Sequence, residues 1–271
     1  MTTPTAPPSA PASGDICLRQ ILADGAVFAQ AAGQTARTYF RQHNAVEFKE
    51  DESPVTVIDQ RIEQELKQAI AAKYPMDGIF GEESGVDGGL DGNLWVIDPI
   101  DGTRSFISGN PLFGMLLAYV QNGLPVAGII SMPMLDELYC GSPGQGATCN
   151  GEPINVSGQR EIDDCTLYIN EGEKLIAEHP DRLSRLLKAG KTRRFGYDCY
   201  PHALLAAGHI DAVVDYDLKP YDYLALTSVI SAAGGIMTDW QGNPLDLSSD
   251  GAVVAAATPE LHQSLLAVLN G

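Results

Sequence analysis

Trp95-Val-Ile-Asp98-Pro-Ile-Asp101-Gly-Thr103-Arg-Ser-Phe106 carries the densest chemistry in the chain. The apolar run from Leu94 to Ile97 reads as a buried strand. It stops at an aspartate followed by proline, which cannot donate to a sheet ladder, so the strand is expected to end at Asp98. Asp98 and Asp101 would then stand at a strand exit, where open α/β sheets bind ligands. Gly102 and Thr103 add a backbone able to approach an anion closely, and a hydroxyl. Upstream, Gly81-Glu82-Glu83-Ser84 ends a second short apolar run, Gly78 to Phe80. Acidic groups at two strand ends beside a glycine turn suit hard cations and a phosphate. Taken singly, each segment is also an ordinary loop, because Asp-Pro, Asp-Gly and Glu-Glu-Ser are common in turns and solvated runs.

The chain has 271 residues, enough for one large domain or two smaller parts sharing a core. Its 44% hydrophobic and 19% charged residues are an ordinary soluble composition. A formal net charge of -18 argues against nucleic acid or an anionic membrane as partner. Cys17, Cys140, Cys149, Cys165 and Cys199 show neither metal-site spacing nor an even count, which implies reduced thiols in a cytoplasmic protein. The first basic residue is Arg19 and no long apolar run follows the start. Neither a secretory leader nor a bilayer-spanning segment is therefore expected.

Residues 1–14, rich in Pro, Ala and Thr, read as a disordered tail. A helical stretch follows from Asp15 to about Gln42, with Gly25 and Gly33 as points of interruption. Lys49 to Thr56 is a charged hairpin or loop. It leads into a helix from Asp59 to Lys73, where Ile58, Ile62, Leu66 and Ile70 recur every fourth residue as a core stripe. Asn122-Gly123 and Asn150-Gly151, each between apolar runs, signal hairpins of an antiparallel meander. The glycine-rich run Gly141 to Gly146 opens no helix and is a loop. Beyond it the elements alternate. Thr166 to Asn170, Ile210 to Tyr216, Ile236 to Trp240 and Ala252 to Ala257 read as strands. Pro180 to Ala189, Cys199 to Ala207, Pro220 to Ala233 and Glu260 to Leu269 read as helices. Composition and periodicity by themselves give mixed α and β.

GEES at 81–84, WVIDPIDGT at 95–103, and an aspartate opening a late helix that ends in Ala-Gly-Gly (Asp222 to Gly235) occur in order along nearly the whole chain. In this the sequence resembles the inositol monophosphatase family of Mg2+-dependent phosphatases. The resemblance implies an α+β fold, a layered α-β-α-β-α sandwich of the sugar-phosphatase type. It places a larger N-terminal part over 15–157, with most metal ligands, and a smaller part over 158–271. It also implies two or three Mg2+ per site, a small phosphate ester as substrate, and a homodimer.

Carried over by motif position, Glu82, Asp98 and the Ile100 carbonyl would bind a first metal. Asp98 would bridge to a second, held also by Asp101 and Asp222, while Glu82 would help hold a weaker third. Thr103 and Asp59 would orient and deprotonate the attacking water, and the amides of Gly102 and Thr103 would grip the phosphate. Asp59 also has a plain helical reading, as a carboxylate favoured at a helix N-terminus. Oxygen donors of this kind suit Mg2+, and no His or Cys cluster suits zinc.

Outside the shared motifs, DGT-R-SF, DCY and LKPYD look like the histidinol-phosphate phosphatase branch. Ser105 and Tyr221 depart from the inositol pattern, which usually has asparagine and tryptophan there. Histidinol phosphate carries an ammonium and an imidazole, so its binder needs carboxylates aimed away from the metals. Asp198 and Asp215 are the candidates, with Tyr200 as a ring to stack on imidazole and Arg104 beside the phosphate motif. Against these stand Asp198 as a helix N-cap, Asp215 as a turn residue and Tyr200 as core. Inositol or polyol phosphates are the alternative substrates. No basic patch stands out to hold a second phosphate. An RNA- or transcription-associated binding role is disfavoured by the acidic balance and the complete set of site residues.

Overall fold

A computed structural model describes residues 17–42, 46–48, 54–90 and 92–271. The tail at 1–14, Asp15, Ile16 and residues 49–53 of the charged Lys49 to Thr56 segment lie outside them. Helix α1 (Leu18–Tyr39) runs unbroken through Gly25 and Gly33, both buried. A Cβ at Gly25 would lie 2.7 Å from Ile129 Cδ1, so the glycine that weakens the helix locally lets it seat on the sheet. A two-stranded ribbon, β1 (Val46–Phe48) and β2 (Pro54–Thr56), leads into α2 (Val57–Lys73). Thr56 caps α2 through its hydroxyl, and Ile58, Ile62, Leu66 and Ile70 are all buried.

The larger sheet follows: β3 (Gly78–Gly81), β4 (Gly85–Asp87), β5 (Asn93–Asp101), a short helix α3 (Thr103–Ser108), then β6 (Gly114–Gln121), β7 (Leu124–Met132), β8 (Glu137–Ser142), β9 (Gly146–Cys149) and β10 (Glu152–Ile154). Its strand order is β10-β9-β8-β7-β6-β5-β3-β4. Asn122-Gly123 and Asn150-Gly151 both have positive φ at each residue, as two-residue hairpin turns require.

The rest of the chain forms β11 (Thr166–Ile169), α4 (Gly172–Glu178), α5 (Pro180–Leu186), β12 (Thr192–Phe195), α6 (Tyr200–Ala206), β13 (Ala212–Asp215), α7 (Pro220–Ala232), β14 (Ile236–Asp239), β15 (Val253–Ala256) and α8 (Pro259–Asn270). The smaller sheet has the order β12-β11-β13-β15-β14, with parallel and antiparallel pairs. The alternation read from sequence lacks α4 and the exposed edge strand β12.

Burial assigns the layers. One face of the larger sheet (Trp95, Ile97, Leu117, Tyr119) meets α1 and α2. Its other face (Leu94, Val96, Leu116, Ala118) shares a core with α6, α7 and the near face of the smaller sheet (Val213, Val253, Ala255). The far face of that sheet (Leu167, Val214, Val254) is covered by α4, α5 and α8. The result is an α-β-α-β-α sandwich in which each fully buried Leu or Ile contributes roughly 1.5–3 kcal/mol. All strands of the larger sheet precede residue 157 and all those of the smaller follow it. Helix α7 packs on β5 to β8 as well as on β14, so the two parts share their central core.

Candidate active site

Strand β5 does not stop at Asp98. It continues through Pro99 and Ile100 to Asp101, and its pairing with β6 shifts between Asp98 and Asp101. Pro99 and Ile100 stand opposite Met115 alone, so the proline falls in a bulge where no ladder donor is required. The bulge aims two carboxylates at the start of α7, where Asp222 accepts the Lys219 amide at 2.6 Å. Carboxylate oxygens of Asp98, Asp101 and Asp222 lie within 4.8 Å of one another.

Three carboxylates so placed repel. Burial, then the charges of Glu82, Asp101 and Asp222, pushes Asp98 well above the usual carboxylate range. Burial, then Asp198 and Asp222, does the same to Asp101, although the Cys199 amide donates to it at 2.5 Å. Burial raises Asp222 to about 6. Asp98 Oδ1 is buried with no hydrogen-bond partner among the described residues.

Asp59 and Thr103 meet beside this cluster. Thr103 Oγ1 lies 3.1 Å from Asp59 Oδ1 and 3.2 Å from the Ile100 carbonyl oxygen, so its one proton is held in that direction. The other Asp59 oxygen accepts the Thr56 amide at 2.9 Å and the Thr56 hydroxyl. Burial raises the Asp59 pKa, and the Thr56 and Thr103 hydrogen bonds oppose the rise. The N-terminal reading of Asp59 thus holds together with its contact to Thr103. Gly102 has φ 90 and opens α3, whose first-turn amides lack partners within the helix. A Cβ at Gly102 would lie 2.5 Å from Asp198 Oδ2, so no larger residue fits.

One cavity unites these groups. Glu82, Asp98, Ile100, Asp101, Gly102, Thr103, Arg104, Asp198, Asp215 and Asp222 line it, and so do Glu171, Lys174, Tyr216, Asp217 and Leu218. Asp198 accepts the Ser105 hydroxyl at 2.6 Å and is raised to about 6 by burial. It has φ 57 and precedes Cys199, which is the N-cap of α6, so Asp198 itself stands one residue outside the cap. Asp215 ends β13, 2% exposed. It accepts Asn170 Nδ2 at 2.7 Å and the Tyr216 amide at 2.8 Å. Burial pushes it well up. It is therefore a buried acid and not a solvated turn residue.

Tyr200 is not brought to the cavity. It packs partly buried against the central core, its pKa raised to about 12 by burial and then by Glu137. As the first residue of α6 it takes the core placement that the sequence left open beside ring stacking. Arg104 lines the cavity and pairs with Glu173 at 3.5 Å. The lining residues Glu171 and Lys174 were not picked out from the sequence. The turn Asn170-Glu171-Gly172 directly after a strand is the only local signal for them.

Eight carboxylates and two cationic side chains on one cavity wall repel an anionic ester. The buried, unpartnered Asp98 oxygen and the all-oxygen donor set fit hard divalent cations, which reverse that sign.

Residues 19–270 match the model of the inositol monophosphatase family. The chain belongs to that family and is a phosphatase of its kind. It is 38% identical to the bifunctional phosphatase IMPL2, chloroplastic, of Arabidopsis thaliana, covering 94% of this chain and 77% of that one. It is also 38% identical to a histidinol-phosphatase of Chlorobaculum parvum, covering 89% and 93%. Among solved structures, an inositol monophosphatase from Zymomonas mobilis superposes with a TM-score of 0.85 at 35% identity, covering 95% and 100%. Among the described residues, no helix is long and apolar enough to cross a membrane.

Proposed function

We propose that this phosphatase is Mg2+-dependent and releases histidinol from histidinol phosphate, and that it acts, by kinship, as a cytoplasmic homodimer. The substrate assignment rests on one observation: among the described residues, the hydrogen-bond donors to Asp198 and Asp215 are neutral, and Arg104 acts on Asp198 only as a nearby charge. Glu171 and Asp217 share Lys174, at 3.1 and 2.9 Å. Asp198 takes the Ser105 hydroxyl and Asp215 takes an amide side chain and a backbone N–H. A substrate ammonium supplies the charge-assisted partner these two buried acids lack.

In this reading Asp98, Asp101 and Asp222, with Glu82 and the Ile100 carbonyl, hold two or three Mg2+. Bound there, Mg2+ neutralises phosphate oxygens and makes a coordinated water more acidic. Thr103, its proton directed to Asp59, presents its oxygen lone pairs to an attacking water. The water's proton can pass to Thr103 as the Thr103 proton passes to Asp59, whose raised pKa suits acceptance. The Gly102 and Thr103 amides orient the phosphate at the opening of α3.

The test is phosphate release with Mg2+ from histidinol phosphate and from inositol 1-phosphate at equal, subsaturating concentration. A preference of about a hundredfold for histidinol phosphate, roughly 3 kcal/mol in transition-state binding, is expected. Comparable rates, or a preference for the inositol ester, would overturn the substrate assignment and leave the family chemistry intact. That second reading is a polyol phosphatase, in which the Asp198 carboxylate accepts a hydrogen bond from a substrate hydroxyl.

A further inference from the structure

We infer that Glu63 is a positioning residue: its carboxylate holds the Gly81–Ser84 turn and thereby sets where Glu82 reaches into the cavity. Glu63 is 2% exposed although it sits on a helix. One oxygen, Oε2, accepts the Glu83 amide at 2.8 Å. The other, Oε1, accepts the Ser84 amide at 3.0 Å and the Ser84 hydroxyl. Three donors converge on one side chain, and an ionised carboxylate is the group that accepts them all without presenting a donor of its own.

Gly81 makes this contact possible. A Cβ there would fall 2.4 Å from Glu63 Cδ, 2.5 Å from Oε2 and 2.6 Å from Oε1. Gly81 is thus required for room, since its φ is not positive. Glu82 stands between two anchors, because its own amide donates to the Ile97 carbonyl at 3.1 Å. Strand β5 therefore fixes one side of the residue and Glu63 the other.

Asp59 and Glu63 lie one turn apart in α2, on the same face. The first reaches Thr103 and the second grips the turn that carries Glu82. One helix, seated by Ile62, Leu66 and Ile70, hence registers both acidic turns against each other.

This inference rests on the metal-binding reading of the cavity. Its test is calorimetric titration of the metal-free protein with Mg2+, together with amide hydrogen exchange. Glu63→Gln keeps the size of the side chain but turns an NH2 toward one of the donors. The expected result is Mg2+ binding weakened roughly 10- to 100-fold, the range for partners that orient metal ligands. Faster exchange at the Glu83 and Ser84 amides should accompany it. In a Glu82→Ala background, Glu63→Gln should change Mg2+ affinity no further. Unchanged affinity in Glu63→Gln, or an equal loss in both backgrounds, would overturn the inference and leave only a general structural role. If the parent protein itself bound no Mg2+, the metal reading would fall first and visibly. Should Glu63→Gln not fold, Ser84→Ala removes one donor to the same carboxylate and is expected to weaken Mg2+ binding in the same direction, an unchanged affinity again counting against the inference.

Discussion

The Ser105 hydroxyl donates to Asp198 Oδ2 over 2.6 Å, tying α3, beside the larger sheet, to the loop between β12 and α6. Ser105 is buried, so the bond is little exposed to competition from water. A hydrogen bond to a charged group contributes about 1.5–3 kcal/mol. Ser105→Ala should therefore raise KM for histidinol phosphate roughly tenfold with kcat nearly unchanged. Steady-state kinetics decide; a fall in kcat at constant KM would place Asp198 in the chemical step instead.

Asp198→Asn and Asp215→Asn keep shape and remove charge. Each should lower kcat/KM for histidinol phosphate by about a hundredfold, while leaving the inositol ester within a few-fold. Parallel losses on both esters would show that these acids support the site without reading the leaving group.

On the proposed mechanism, Thr103→Ala and Asp59→Asn interrupt one proton path. Each should cost about 100- to 10,000-fold in kcat. The double variant should cost little more than the worse single one, because groups acting as a unit are not additive. Additive losses would separate their roles.

Asp98→Asn should abolish activity yet stabilise the metal-free protein, because it relieves a buried charge facing Asp101, Asp222 and Glu82. About 1 kcal/mol gained corresponds to a rise in Tm of roughly 2–4 °C. Adding Mg2+ should then raise the parent Tm and not that of the variant. Thermal unfolding with chelator and with Mg2+ checks both halves.

His202, on α6, is fully buried, and neither ring nitrogen has a hydrogen-bond partner among the described residues. Asp215 Oδ2 stands 3.9 Å from Nε2. Burial lowers the native pKa to about 3, against 6.5 for a free imidazole side chain. Between those values the unfolded chain binds a proton that the native protein refuses, so stability falls as pH drops below 6.5. Between pH 7 and 5 the parent should lose about 2 kcal/mol more than His202→Leu in urea unfolding. Equal slopes would mean that the ring is protonated in the folded state.

Local chemistry was legible where local chemistry decides. The Ile58–Ile70 stripe and the Asn-Gly turns follow from periodicity and from positive-φ residues. The layered fold and the convergence of Asp98, Asp101 and Asp222 were reached through motif resemblance, because residues so distant in sequence have no spacing that reports contact. Glu63 was hidden for the opposite reason. On α2 it reads as a solvated polar position, and only the turn arriving from β3 buries it. Pro99 stopped the strand on paper because proline breaks a regular ladder, whereas the protein places it in an irregular one. Strand β12, exposed along its whole length, has no alternation to betray it.

The placement of α7 between the two sheets has an evolutionary consequence. The acids gathered around Asp98 hang from the bulge of β5 and from the start of this sandwiched helix, where a substitution disturbs both halves at once. Asp198 and Glu171 belong instead to turns of the smaller sheet, and Asp215 to a strand end there. On the proposed reading, substrate preference can drift through those turns and that strand end while the acids around Asp98 are held by the core the two sheets share. One ancestral phosphatase can in this way supply many pathways by altering a single wall.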